Sequence, residues 1–267
     1  MIFALAFILS MFHRQPDVIL VTIDGVMWQD IYGSNSQLLV PNLYNDFVKQ
    51  GIAVGKMSPI IASGKNHVSL VGYLEITRGH PSLDCQSNDC YHPRIDRTIL
   101  KFFHSPAVFS SWRTIEKTIP NNLNVYHDNG SGHYRYDEQT EKTADQYLQT
   151  HAPDFLWVSL GDTDEWAHAN NHDQYLKSLQ SADLYIHSLV VRFPDSNIIV
   201  TTDHGRNRNF RDHGYDKDSE RVWLMIRGMQ VPHKGFIKTR PLSLSNIYPT
   251  ILDLQMGSHS PNSILEN

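Results

Sequence analysis

Three apolar stretches of this 267-residue chain run straight into acids, and two of them into histidine as well. DVILVTI leads to Asp24-Gly25. DFLWVSL leads to GDTDEWAH, which holds Asp162, Asp164 and His168. NIIVTT leads to Asp203-His204-Gly205, with His213 following in RDHGYD. Carboxylates gathered in one place repel, and some take up protons unless a cation neutralises them. Carboxylate and imidazole donors together suit zinc, and less well manganese or iron. The donors divide into an Asp-His-His set and an Asp-Asp-His set. Two metals ~4 Å apart hold the attacking and leaving oxygens of an in-line phosphoryl displacement.

Each residue also has an ordinary reading. Asp-Gly after a strand is usually a turn. Asp164 and His168 lie four apart, so on a helix they share a face and either grip an ion or form a surface pair. His213 alone reads as a surface histidine. Asp203-His204-Gly205 is the strongest signal, because loops at strand ends carry sites and a core strand gains nothing from that ending. Gly205 is expected to let the backbone turn sharply there.

The elements that must position these groups are legible as alternating patterns. Buried strands are expected at DVILVTI, DFLWVSL, NIIVTT and RVWLMI, with weaker ones at AVFSS and LNVYH. Helices are expected after Pro41, after His67, after Glu141, in HDQYLKSLQSADLYIHSLVVRF and at SNIYPTILDL. In the longest of them Leu176, Leu179, Ala182, Ile186 and Leu189 recur at helical spacing. Uniformly apolar strands between helices imply an α/β fold, a three-layer α/β/α sandwich with a mainly parallel central sheet. Ligands of such sheets bind outside the carboxyl ends of the strands.

Composition bounds the rest. Hydrophobic content of 40% and charged content of 19% are ordinary for a globular chain. A net charge of −5 gives no basic footprint, so binding in a nucleic-acid groove is not expected. The opening MIFALAFILSMF is too short for a membrane helix and reads as a signal or anchor over residues 1–16, or as a buried N-terminal segment. Residues 17–267 then form one catalytic domain. Cys85 and Cys90 either close a small disulfide loop in an oxidising compartment or remain free thiols. The pair and the apolar start together favour a periplasmic or secreted protein, with the cytoplasm as alternative.

VTIDG, a Ser or Thr about forty residues later, D-x-x-x-H, DHG and a distant His form the ordered ligand set of the alkaline phosphatase superfamily. SGKNHVSLVGY is similar to the nucleophile region of its nucleotide pyrophosphatase/phosphodiesterase branch, where Thr or Ser stands three residues before Asn-His. The resemblance spans Asp17 to His213. It implies one metal held by Asp164, His168 and His213, and a second held by Asp24, Asp203 and His204 with Ser63 as alkoxide ligand. Ser63 becomes the nucleophile and Asn66 a phosphate contact. Ser69 is the rival nucleophile, set aside because it is expected inside the helix. Lys65 stands where the branch usually has proline and is expected to point into solvent. No C-x-P-x-R or S-x-P-x-R sequence is present, so the formylglycine route of sulfatases is not expected.

The function implied is a two-metal hydrolase of small-molecule phosphate esters, acting through a phosphoserine on Ser63. Asn66 in place of arginine leans towards diesters or nucleotide pyrophosphates, because a diester carries less charge. Tyr73, Trp166 and Tyr215 are candidates for the leaving-group pocket, or core. The alternatives are a phosphomonoesterase, a phosphotransferase or mutase of the same superfamily, and a metal-binding protein without turnover. Membrane contact is expected only if the N-terminal segment is retained as an anchor.

Overall fold

The computed structural model describes residues 15–90 and 97–266, so the apolar start at Met1–Phe12 lies outside the described residues. Among the described residues there are eleven strands: β1 Val18–Ile23, β2 Gly51–Val54, β3 Ile60–Ile61, β4 Pro106–Ser110, β5 Tyr126–Asp128, β6 Phe155–Leu160, β7 Asn197–Thr201, β8 Arg221–Val222, β9 Leu224–Arg227, β10 Gly235–Phe236 and β11 Leu242–Ser243. The α-helices are α1 Trp28–Tyr32, α2 Ser36–Leu39, α3 Pro41–Leu43, α4 Ser69–Arg78, α5 Asp137–Tyr147, α6 Asp162–His168, α7 His172–Arg192 and α8 Ile247–Met256.

Eight strands form one sheet in the order β10-β2-β9-β7-β1-β6-β4-β5, and β11-β3-β8 form a second, small one. Every pairing in the large sheet is parallel except those of β9 with β2 and β7. RVWLMI, expected as one strand, splits at Trp223. Val222 pairs with the small sheet, and Leu224 onward pairs with the large one.

The inner strands of the large sheet are buried on both faces, as uniformly apolar strands require, while the edge strands β5 and β10 are partly exposed. Val18 and Leu20 of β1, Phe155 and Trp157 of β6, and Ile199 of β7 pack with Tyr73 and Ile76 of α4 and with Ile247 and Ile251 of α8. The alternate residues Ile19, Val21, Leu156, Val158, Ile198 and Val200 face Leu179, Ala182, Ile186 and Leu189 of α7. Alternation along each strand thus feeds two cores, which gives the three layers expected. Each fully buried branched side chain contributes about 1.5–3 kcal/mol. Leu176 is only partly buried, and Tyr175 takes its place on the packed face of α7.

The registers matter most for function. In the central strands Ile23 pairs with Leu160, and Thr22 pairs with Thr201. The carboxyl ends of β7, β1 and β6 are therefore level and adjacent. Among the described residues no helix is long and apolar enough to cross a membrane.

Candidate metal and nucleophile site

Level strand ends bring Asp24, Asp203-His204 and the start of α6 to one edge of the sheet. On α6 the four-residue spacing puts Asp164 and His168 on one face, with His168 Nε2 3.2 Å from Asp164 Oδ2. His213 joins them from a loop, its Nε2 3.0 Å from that of His168 and 3.7 Å from Asp164 Oδ1. Potential ligand atoms of Asp164, His168 and His213 converge within 4.8 Å, and so do those of Asp24, Asp164 and His204. Asp164 therefore belongs to both groups. Asp203 lies behind the second, with Oδ1 accepting from the Gly25 N–H at 3.1 Å and Oδ2 3.4 Å from His204 Nε2.

The ring tautomers are set by backbone. His204 Nδ1 donates to the Gly205 carbonyl at 2.9 Å, and His213 Nδ1 donates to the His67 carbonyl at 2.8 Å. Each imidazole thus turns its Nε2 towards the carboxylates, as a metal-ligating histidine does. Asp203 and His204 are fully buried, and Asp203 Oδ2 has no hydrogen-bond partner. Burial and the neighbouring Asp24 carboxylate push Asp203 up to about 8. Burial would lower His204, but Asp203 and Asp24 draw its pKa up to about 9. His213 goes the other way, to about 3, through burial and the nearby His204. The cluster asks for positive charge at the point where its free donors meet. Three carboxylates and three imidazoles so disposed fit a divalent cation.

The two serines do not sit as the resemblance implied. Ser63 donates through Oγ to Glu75 Oε1 at 2.6 Å and through its N–H to Glu75 Oε2 at 2.8 Å. It is tied to the middle of α4, away from the ligand set. Ser69 stands instead at the cluster, with Oγ donating to Asp24 Oδ1 at 3.2 Å and lying 3.2 Å from His204 Nε2. Val68, at φ −122° and ψ 156°, is the extended N-cap residue, so Ser69 is the first residue of the helix and not an interior one. The Asn66 amide donates one of its two N–H groups to the Gln86 carbonyl at 2.8 Å. Lys65 is exposed to solvent.

The aromatic candidates separate as well. Tyr73 is fully buried and donates to Asp24 Oδ2 at 2.9 Å, which makes it a support for that carboxylate. Trp166 is half-buried and stacks on Tyr136, while Tyr215 is exposed. Gly205 makes no left-handed turn. It is glycine because a Cβ there would lie 2.6 Å from the Arg221 carbonyl oxygen.

Reading by residue type missed Arg206. Its buried guanidinium pairs with Asp164 Oδ1 and also donates to the Phe210 and Arg211 carbonyls. Burial alone would raise Asp164, but the His168 hydrogen bond and this guanidinium hold it well below the carboxylate range. The signal was present: DHG is followed at once by a cation in a chain of excess acids.

A sequence model of the metalloenzyme superfamily matches residues 99–258, more than half of the chain. The chain belongs to the metalloenzyme superfamily. This alkaline phosphatase-like superfamily comprises metal-dependent phosphoryl and sulfuryl hydrolases. No curated protein sequence matches the chain. Solved structures share its fold. A protein of the alkaline phosphatase superfamily from Vibrio parahaemolyticus is 14% identical, with TM-score 0.64 over 90% of this chain and 66% of that one. An inactive murine ectonucleotide pyrophosphatase/phosphodiesterase 5 in complex with AMP is 12% identical, with TM-score 0.66 over 90% and 95%. A putative sulfatase from Bacteroides thetaiotaomicron is 10% identical, with TM-score 0.71 over 93% and 72%.

Proposed function

We propose that this metalloenzyme hydrolyses small-molecule phosphate esters through a covalent phosphoserine on Ser69. One observation carries the reading: Ser69 Oγ is 3.2 Å from both Asp24 Oδ1 and His204 Nε2, at the open end of α4. Asp24 and His204, with Asp164 in reach and Asp203 behind them, would hold one divalent cation, and Asp164, His168 and His213 another, with zinc preferred over manganese or iron. A bound cation would supply charge against the phosphoryl oxygens and lower the pKa of a nearby hydroxyl.

The protein's own groups do the rest. Asp24 accepts the Ser69 hydrogen bond and so orients the hydroxyl. Oγ attacks phosphorus as its proton passes to Asp24, the ester P–O bond breaks, and the leaving oxygen takes a proton from solvent. Water then attacks the phosphoserine and gives up a proton to solvent, the P–Oγ bond breaks, and Asp24 returns the proton to Ser69 Oγ. The N-terminus of α4 adds the positive end of its dipole where charge develops. His168, with a side chain 43% exposed, marks the side open to solvent.

A diester or nucleotide substrate remains our preferred class, supported by the AMP complex of the murine fold relative. Arg206 favours a second reading, a phosphomonoester, because a fixed extra cation suits a more highly charged group. Export of the protein is part of the proposal, supported by the disulfide between Cys85 and Cys90.

The test is turnover of bis-p-nitrophenyl phosphate, p-nitrophenyl phosphate and p-nitrophenyl sulfate by zinc-loaded protein. Ser69→Ala is expected to lower kcat at least ~10³-fold. Ser63→Ala is expected to reduce stability while keeping most of kcat. Full activity in Ser69→Ala, or its loss only in Ser63→Ala, would return the nucleophile to Ser63. Preferred turnover of the sulfate ester would refute the phosphohydrolase reading.

A further inference from the structure

The chain leaves α4 at Gly79 and runs back along it, and three hydrogen bonds of the returning segment reach the start of that helix and the residues leading into it. Near the C-terminal end of α4, Arg78 pairs with Asp84 at 3.0 Å, its side chain 1% exposed. Cys85 then packs on Leu70 and Leu74 of α4, with Cys90 against the same cluster, and the two cysteines are joined. Between them, Gln86 faces Asn66 twice. Its Oε1 accepts the Asn66 N–H at 3.1 Å, and its carbonyl accepts Asn66 Nδ2 at 2.8 Å. Asn88 Oδ1 accepts the N–H of Leu70 at 3.0 Å. Lys117 holds the loop from outside, donating to the Asn88 carbonyl at 2.8 Å.

We propose that the disulfide-closed loop Cys85–Cys90 is a clamp that positions Ser69, with Asn88 and Gln86 as its positioning residues. The inference rests on Ser69 being the nucleophile. The physical need is plain. Ser69 is the first residue of α4, and helix starts fray unless their free N–H groups find acceptors. Val68 provides no side-chain cap. Asn88 provides the missing acceptor from outside the helix, at the residue next to the nucleophile. Gln86 fixes the strand-like approach two residues ahead of Val68. The disulfide keeps both amides in place by closing a ring of few residues, whose apolar side is buried on α4. Because small displacements of a nucleophile cost large factors in rate, this clamp sets kcat and leaves substrate affinity nearly untouched.

The test uses intact, metal-loaded protein. Treatment with a phosphine reductant, verified by the appearance of two thiols, and the substitutions Asn88→Ala and Cys85→Ser with Cys90→Ser are compared. Four quantities are measured: kcat and KM on the p-nitrophenyl ester that is turned over best, bound metal, and hydrogen exchange of the Leu70 amide. The expected result is faster Leu70 exchange with kcat at least about tenfold lower, KM within about twofold and metal content unchanged. Faster exchange with unchanged kcat would overturn the clamp, as would unchanged exchange in the reduced protein. A fall in melting temperature alone, with kcat and KM intact, would mean a merely structural loop. Exchange does not depend on the reaction, so failure of Ser69 as nucleophile would appear separately, in Ser69→Ala.

Discussion

Ser63 and Ser69 sit in one short segment, SGKNHVS, and their roles are decided by where a helix begins. Spacing to Asn-His pointed to Ser63. The chain stays extended through Val68, because the His67 N–H donates to the Gly214 carbonyl and Gln86 engages Asn66. Those partners come from distant segments, so no local pattern could reveal them. The gathering of Asp24, Asp164, His168, Asp203, His204 and His213 at one sheet edge was legible, since each stands after an apolar run or in a repeated DHG motif. Arg206 was missed although it follows DHG directly, because its burial and its pairing with Asp164 depend on distant segments. At this scale Asp203 is the most informative residue. Its buried Oδ2 has no hydrogen bond and lies 3.4 Å from His204 Nε2, so it would cost stability in the absence of a cation and return it if one bound. Asp203→Asn is therefore expected to melt at an equal or higher temperature than the parent in chelator, and to gain less from added zinc. A larger zinc-induced shift in the variant would contradict a ligand role for Asp203.

The helix carrying Asp164 and His168 is only seven residues long and depends on its neighbour. Asp137, at the start of α5, accepts the N–H groups of Gly161 and Asp162 at 2.7 and 3.1 Å and so caps α6 from outside. One turn along, Glu141 sits by the same acids with Oε1 buried and unpartnered. Burial, then Asp137 and Asp145, push Glu141 up to about 8, and burial with Asp162 pushes Asp137 to about 7. Raised carboxyl values mean that the folded state binds more protons than the unfolded one between the two pKa values. Stability is therefore full at acid pH and lost as pH climbs from the ordinary carboxylate range towards those raised values. Glu141→Gln is expected to raise unfolding free energy by about 1–3 kcal/mol at about pH 9 and to change little at about pH 4. Denaturant melts at the two pH values give the answer, and an equal effect at both would remove the pH argument. None of this was visible in EKTADQYLQTH, where α5 was expected to start at Glu141. Asp137 through Thr140 looked like loop until their contacts with α6 were known.

Across the whole molecule, the alternation of apolar strands with helices fixed the class of fold, because only a doubly covered sheet buries strands such as VILVTI on both faces. The antiparallel β9 and the small sheet escaped, since RVWLMI carries no mark of the step at Trp223 from one sheet to the other. Short strands such as GIAV have no periodicity to read. Glu75 shows how far apart the parts of one site can be. Its carboxylate, buried in α4, takes two hydrogen bonds from Ser63 and two from Ser245, at 3.0 Å from the N–H and 2.8 Å from Oγ. Ser245 follows Glu75 by 170 residues. On a ribosome, which delivers the chain from its amino end, α4 remains a half-satisfied helix around a buried acid until that late serine emerges. Nascent chains stopped before Leu242 are accordingly expected to leave the α4 amides open to exchange, and chains carried past α8 to protect them. Protection in the shorter chains would show that the helix locks without Ser245. The proposed reaction centre would then be completed only after Ser245 has emerged, so synthesis itself would delay its exposure to metal and substrate.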